Sequence, residues 1–447
     1  MSDSLRIGSG AGYAGDRLEP ALELMERGRL DFIGFECLAE RTIALAQRER
    51  DRDPKAGYNP MLAYRMEHLL PLARKHGIGV LTNMGAANPA GAAAKTAGIA
   101  TKQGLRGMRI AAVTGDDVLE QVRNRPGLKI LETGMALESL GSRIVSANAY
   151  LGVAPLLEAL RHKADVIITG RVADPALFLA PIMHAFGWDI SDYQRLGRGT
   201  LVGHLLECAA QVSGGYFADP GRKDVPELWR VGFPFAEVYP DGNGFISKLE
   251  GTGGQVSTAT VTEQLLYEIH DPAAYLTPDC TADFSGVHLH SEKTDEVAFS
   301  GAGGSPPTDT YKVSVGYRNG YLGEGQISYG GANCLDRARL AGEVVRRWLE
   351  PVAGSIADLR IDLIGYDSLG PSAGNRSPAP REVRLRVAGR SEDPEVARRI
   401  ANEVEALYTN GPAGGGGASK RVEELISVAS VLLPKSEVAH TVKYMET

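Results

Sequence analysis

Between Ala164 and Gly215 the chain concentrates side chains that can move protons. Arg171 and Asp174 lie just beyond Val166-Ile167-Ile168, a short β-branched run closed by Gly170. Such a run reads as a buried parallel strand, and ligands of open α/β sheets sit outside the carboxyl ends of the strands. Downstream, His204, Glu207, Cys208 and Gln211 fall at i, i+3, i+4 and i+7 of a helix predicted over 203–213, so they share one face. Leu205, Leu206, Ala209 and Val212 make most of the remaining surface apolar. A polar stripe on a largely buried helix is either hydrogen-bonded or faces a site. A solvated face carries Lys, Arg and Glu; this one carries His, Glu, Cys and Gln. The stripe is therefore read as facing a site, ahead of a solvated face or a buried network. The chemistry of these groups is general acid–base catalysis. Asp174 or Glu207 serves as base, His204 as acid partner, and Arg171 as a clamp for a carboxylate.

Parallel strands must position these groups. In the first half, strand-like runs at Leu5–Gly8, Leu30–Phe35, Ile78–Leu81, Met108–Val113, Arg143–Ser146 and Val166–Thr169 alternate with helical segments. The helix after the first run is predicted over Asp16–Arg27, with Asp16 as N-cap and Glu19 completing a capping-box-like pair. Alternation of this kind predicts an α/β fold with a mainly parallel, doubly wound sheet; part of a larger barrel is the open alternative. The ends of these strands carry Glu36, Glu40, Asn83, Asp116 and Asn148, which parallel topology brings to one edge. Asn83 and Asn148 are candidate substrate contacts on that edge. Near residue 229 the pattern changes to an α+β region, giving an expected parallel α/β domain over 1–228 and an α+β domain over 229–447 with room for two subdomains. Pro240-Asp241-Gly242-Asn243-Gly244 signals a hairpin, and Pro371–Arg381 reads as an exposed loop.

Gly10-Ala11-Gly12-Tyr13-Ala14-Gly15 matches G-x-G-x-x-G between a strand and a helix, and Glu36 ends the second strand. That is the layout of a dinucleotide site. Asp16, however, stands where the pyrophosphate would lie, and a carboxylate there repels an anion. A tight glycine turn is preferred. Glycine-rich loops at 251–255, 301–305 and 411–421, the last running into Lys420 and Arg421, offer amide nests, and Gly253 and Gly254 are the candidate substrate contacts among them. No Walker A occurs. No spacing demands a metal on Glu36, Asp116, Asp174 and His204, so none is expected, and no cofactor is specified.

The 447 residues carry a formal net charge of −7, with 43% hydrophobic and 23% charged residues. An acidic chain of ordinary globular composition disfavours nucleic-acid and anionic-membrane surfaces. No apolar run is long enough to span a bilayer, and the start lacks the basic and apolar regions of a secretory signal. The four cysteines are scattered, which fits a reducing cytoplasm.

The chain resembles the acyclic terpene utilisation protein A family over nearly its whole length. The matching stretches include Gly10–Asp16, Asp31–Thr42, Thr82–Ala90, Ser146–Gly152, Ile168–Pro175, Gly203–Gly215, Gly251–Glu268 and Asn410–Ala418. The resemblance implies a cytoplasmic catabolic role beside CoA-thioester enzymes and a small partner protein; it carries over no catalytic residue. The expected function is hydratase- or lyase-type proton transfer on a carboxylate or acyl-CoA, in a homo-oligomer. The alternatives are a non-catalytic acyl-CoA-binding subunit and an NAD-dependent oxidoreductase.

Overall fold

A computed structural model describes residues 3–370 and 380–447. The expected loop at Pro371–Arg381 therefore lies outside the described residues except for its last two positions. In chain order the first half forms β1 (Leu5–Ala11), α1 (Glu19–Arg27), β2 (Phe32–Phe35), α2 (Glu40–Arg52), α3 (Leu62–His76), β3 (Gly79–Thr82), α4 (Pro89–Lys102) and β4 (Arg109–Thr114). It continues with α5 (Leu119–Arg123), β5 (Ile144–Ala149), α6 (Ala154–Arg161), β6 (Val166–Thr169), α7 (Ala176–Phe186) and α8 (Tyr193–Leu206). The second half adds β7 (Pro234–Val238), β8 (Gly244–Lys248), α9 (Thr258–Leu266), β9 (Tyr275–Leu276), β10 (Thr281–Asp283), β11 (His288–Lys293), β12 (Glu296–Ser300) and β13 (Gly303–Ser305). It closes with β14 (Thr310–Gly330), α10 (Cys334–Leu349), β15 (Ala357–Ile364), β16 (Glu382–Ser391), α11 (Pro394–Glu405), α12 (Leu407–Asn410), β17 (Gly415–Pro434) and β18 (Thr441–Glu446).

Among the described residues ten strands form one sheet in the order β11-β12-β8-β7-β1-β2-β3-β6-β4-β18. Its centre, β1-β2-β3-β6-β4, is parallel throughout. Both flanks are antiparallel: β7 on β1, and the C-terminal β18 on β4. The sheet is thus mixed, and it is an open run of strands, which corrects both the mainly parallel description and the barrel alternative. Of the six expected parallel strands, β5 leaves the sheet and pairs with β14. Both faces of the centre are covered. Strand alternation sends Leu81 and Ile167 into a core with α6, α7 and α8, and sends Val80, Val166 and Ile168 into another with α1, α3 and α4. This two-sided burial is why these strands read as continuous apolar runs.

The chain divides into two compact units, 1–316 with 428–447, and 317–427. The composition change near 229 does not mark this division, because β7, β8, β11 and β12 complete the first unit's sheet. In the second unit β14, β15 and β16 run antiparallel. Its core includes Ile327 and Leu385 from the strands, Val345 from α10 and Ile400 from α11. Among the described residues no helix is long and apolar enough to cross a membrane.

Candidate functional site

The central strands end at Ala11, Phe35, Thr82 and Thr169, and all four point their carboxyl ends to one edge of the sheet. The loops leaving that edge border a cleft of about 540 Å³. Among the described residues six carboxylates line it, those of Asp16, Glu36, Glu40, Asp174, Glu207 and Glu268, and no Lys or Arg does.

Arg171 sits beneath this cleft at 1% exposure. Its Nε and Nη2 donate to the Val172 carbonyl at 2.8 and 2.6 Å, and its remaining contacts are the Leu38 carbonyl, the Asp174 carboxylate and the Tyr150 ring. A guanidinium so enclosed fixes the loop and Asp174, and it is not presented to a ligand as the expected clamp. Asp174, by contrast, keeps 36% of its side chain exposed. Burial of the surrounding loop raises its pKa, although the Arg171 charge opposes the shift.

Glu36 Oε1 accepts from the Leu38 N–H at 2.8 Å and the Asn83 amide at 2.9 Å, while Asn83 Oδ1 accepts from the Cys37 N–H at 2.7 Å. Asn83 is thereby spent on holding the 36–38 loop. Burial, reinforced by the Asp174 charge, pushes Glu36 up to about 8. Asn148 is likewise internal, donating at 3.0 Å to Asp116, whose carboxylate also takes the Arg171 N–H at 2.9 Å. Burial raises Asp116 to about 6. Burial alone would raise Glu40 as well, but the Tyr150 hydroxyl at 2.5 Å and Lys312 at 3.3 Å hold it down near 2.

The stripe predicted over 203–213 is not one helical face. The helix ends at Leu206, Glu207 caps it, and Ala209 is left-handed at φ 44°. His204, within the helix, lies inward, 1% exposed, between the rings of Tyr275 and Phe284. Glu207, Cys208 and Gln211 line the cleft. His204 Nε2 meets the Leu265 carbonyl at 3.2 Å, which can only accept, so that nitrogen carries the proton. His204 Nδ1 and Glu207 Oε1 stand 2.8 Å apart and share the next proton. The other oxygen, Glu207 Oε2, is buried without a partner. Burial pushes Glu207 up to about 7 against the pull of His204. Burial opposes the charge on His204 too, yet Glu207 outweighs it and the histidine pKa rises.

The glycine fingerprint serves internal packing. A Cβ on Gly12 would lie 2.6 Å from the Cys208 carbonyl carbon, so the space a pyrophosphate needs holds the chain itself. Asp16 closes this turn by accepting from the Gly12 N–H at 2.9 Å, and α1 starts three residues later without any side-chain cap. Both results correct the expected Asp16 N-cap and remove the dinucleotide layout. Gly253 and Gly254 lie outside the cleft lining, and their N–H groups donate to the Arg230 and Pro226 carbonyls at 2.9 and 2.8 Å. Among the described residues no group of three His, Cys, Asp or Glu side chains is placed to hold a metal ion.

Sequence reasoning missed Glu268. It borders this cleft, a second pocket holding Leu276, and an open groove holding Arg222 and Lys223. Its backbone is left-handed at φ 58°, unusual for Glu, and no periodic pattern announces such a position.

No curated protein and no solved structure matches the chain. The family model described as acyclic terpene utilisation family protein AtuA matches residues 5–444, so the chain belongs to that family, and membership supports a role in acyclic terpene utilisation.

Proposed function

We propose that the chain is a catabolic enzyme that adds or removes water across a carbon–carbon double bond next to an acyl thioester. The observation that carries this reading is the unpartnered Oε2 of Glu207, on a carboxyl raised to about 7, in a cleft shared with Asp174. A carboxyl with that pKa holds a proton at neutral pH and can release it. In the hydration direction the proton that Glu207 shares with His204 passes from the Glu207 carboxyl to Cα of the enoyl thioester, and the π pair becomes the new C–H bond. A water oxygen bonds to Cβ, and Asp174 takes the water's proton. That proton returns to Glu207 through solvent, so one water is added and nothing is oxidised. His204 acts only through Glu207, whose proton it shares. The lining favours a thioester over a free carboxylate, because six carboxylates and no cation would repel an anionic reacting end. The groove with Arg222 and Lys223 meets the cleft at Tyr267 and Glu268 and suits the anionic part of a CoA ester. The same groove would serve the second reading, a binding subunit without turnover.

Deuterium incorporation separates the two. In D₂O the enzyme should place deuterium on Cα of a branched enoyl thioester, and Asp174→Asn and Glu207→Gln should each slow this about 10²-fold or more. Thioester binding without any incorporation would select the binding subunit.

A further inference from the structure

Beside the carboxylate cleft lies a second pocket of about 350 Å³, sharing Glu40, Asp174 and Glu268 with it. Three leucines from distant parts of the chain converge there: Leu131, Leu276 on β9, and Leu432 near the end of β17. They are 53%, 64% and 43% exposed. Leucines standing singly in solvent are ordinary, but three gathered in one concavity are apolar surface left for something to cover. The position of Leu131 is fixed, since its N–H donates to the Ser430 carbonyl at 2.9 Å. Leu276 follows Tyr275, whose ring packs 5.5 Å from that of His204. The pocket thus begins at the Tyr275 ring, which packs against His204, and opens outward past the leucines. Among the described lining residues the cation is Lys312, and it is turned to Glu40 and the Tyr150 ring.

We infer that this pocket is the hydrocarbon-tail subsite: it takes an acyclic aliphatic chain whose neutral reacting end lies in the carboxylate cleft, with Leu131, Leu276 and Leu432 setting tail specificity. The inference rests on the proposed reading for the direction of the ligand, but tail binding does not require turnover. Groove, cleft and leucine pocket adjoin in sequence, so one extended molecule with an anionic end, a neutral reacting centre and an apolar tail spans all three.

Calorimetric titration of the full chain with hexanol, octanol and decanol tests it. These neutral probes need only the tail pocket. Affinity should rise about fourfold per methylene, the factor corresponding to ~0.8 kcal/mol for each buried CH₂. Leu276→Ser and Leu131→Ser, at exposed positions that the fold does not need, should each weaken decanol at least fivefold and leave the melting temperature unchanged. Glu207→Gln should keep decanol affinity, whatever it does to deuterium incorporation, so failure of the proton-transfer reading shows separately. Absence of decanol binding, or binding unchanged in both serine variants, would overturn the inference. So would a fall in molar mass of the serine variants in light scattering with decanol affinity intact, which would mean that the leucines face a second copy of the chain.

Discussion

Glu207 is legible in the sequence as an ionisable residue, yet its environment is not. The i, i+3 spacing from His204 correctly places the two in contact at 2.8 Å. What spacing cannot show is that the helix breaks just after Glu207, with His204 buried and Glu207 on the cleft wall. The proposed roles give a pH prediction. Glu207 must hold its proton and Asp174 must have lost its own, so kcat/KM should fall on the alkaline side as pH passes about 7, where Glu207 ionises. An acid limb should mark protonation of Asp174. In Glu207→Gln the alkaline limb should vanish from the residual rate; a limb that stays in place would assign it to another group. Glu268 makes a second prediction at this scale. A non-glycine residue in the left-handed region costs of order 1 kcal/mol, and such strain gathers at functional sites. Glu268→Gly should therefore raise stability by about 1 kcal/mol in urea denaturation while lowering activity. Loss of stability would show that the side chain supports the fold instead of the site.

Among the elements, α8 does most to aim the site. Gly203, one residue before His204, lets the helix lie directly on the Asp174-Pro175 turn: a Cβ there would come within 2.6 Å of Pro175 Cα and its carbonyl oxygen. Glycine weakens a helix interior by up to ~1 kcal/mol relative to alanine, so only the close approach explains it here. Gly203→Ala should cost roughly 1–3 kcal/mol through overpacking despite the better helix propensity. It should also lower activity by separating Asp174 from Glu207, both of which line the cleft. A stabilised, fully active variant in chemical denaturation and turnover assays would refute this packing argument. Apolar runs and turn residues made β1, β2, β3, β4 and β6 readable, and hence the edge where the site lies. The long partners were not readable. β18 joins β4 across more than three hundred residues of chain, and β7 joins β1, because strand order depends on pairing that local pattern does not encode. The G-x-G-x-x-G misled for a related reason. Glycines needed for close approach look the same in sequence whether the neighbour is a pyrophosphate or the backbone of Cys208.

At the scale of the whole molecule, several acids are buried so deeply that desolvation outweighs the pull of nearby cations, which sets how stability depends on pH. Burial raises Glu36 to about 8, Glu207 to about 7, and Asp116 and Asp279 to about 6. In the unfolded chain such groups titrate near 4. Between these limits the folded state binds more protons than the unfolded one, so stability falls as pH rises. The stabilising contribution is fully present below about pH 4 and is lost as pH passes through 6 to 8. Other carboxylates run the opposite way, Glu40 above all, but its folded pKa near 2 confines that effect to acid pH. The melting temperature should therefore be higher at pH 6 than at pH 8.5. Glu36→Gln isolates one share of the loss. The amide oxygen can still accept from the Leu38 N–H and from Asn83, which both use the same carboxylate oxygen, and the charge that burial and Asp174 oppose is gone. This variant should melt higher than the parent at pH 8.5 and close to it at pH 5, where Glu36 is already protonated. Melting temperatures that coincide at both pH values would mean that the Glu36 carboxylate is paid for by solvent entering the cleft, and that the high pKa does not govern folding.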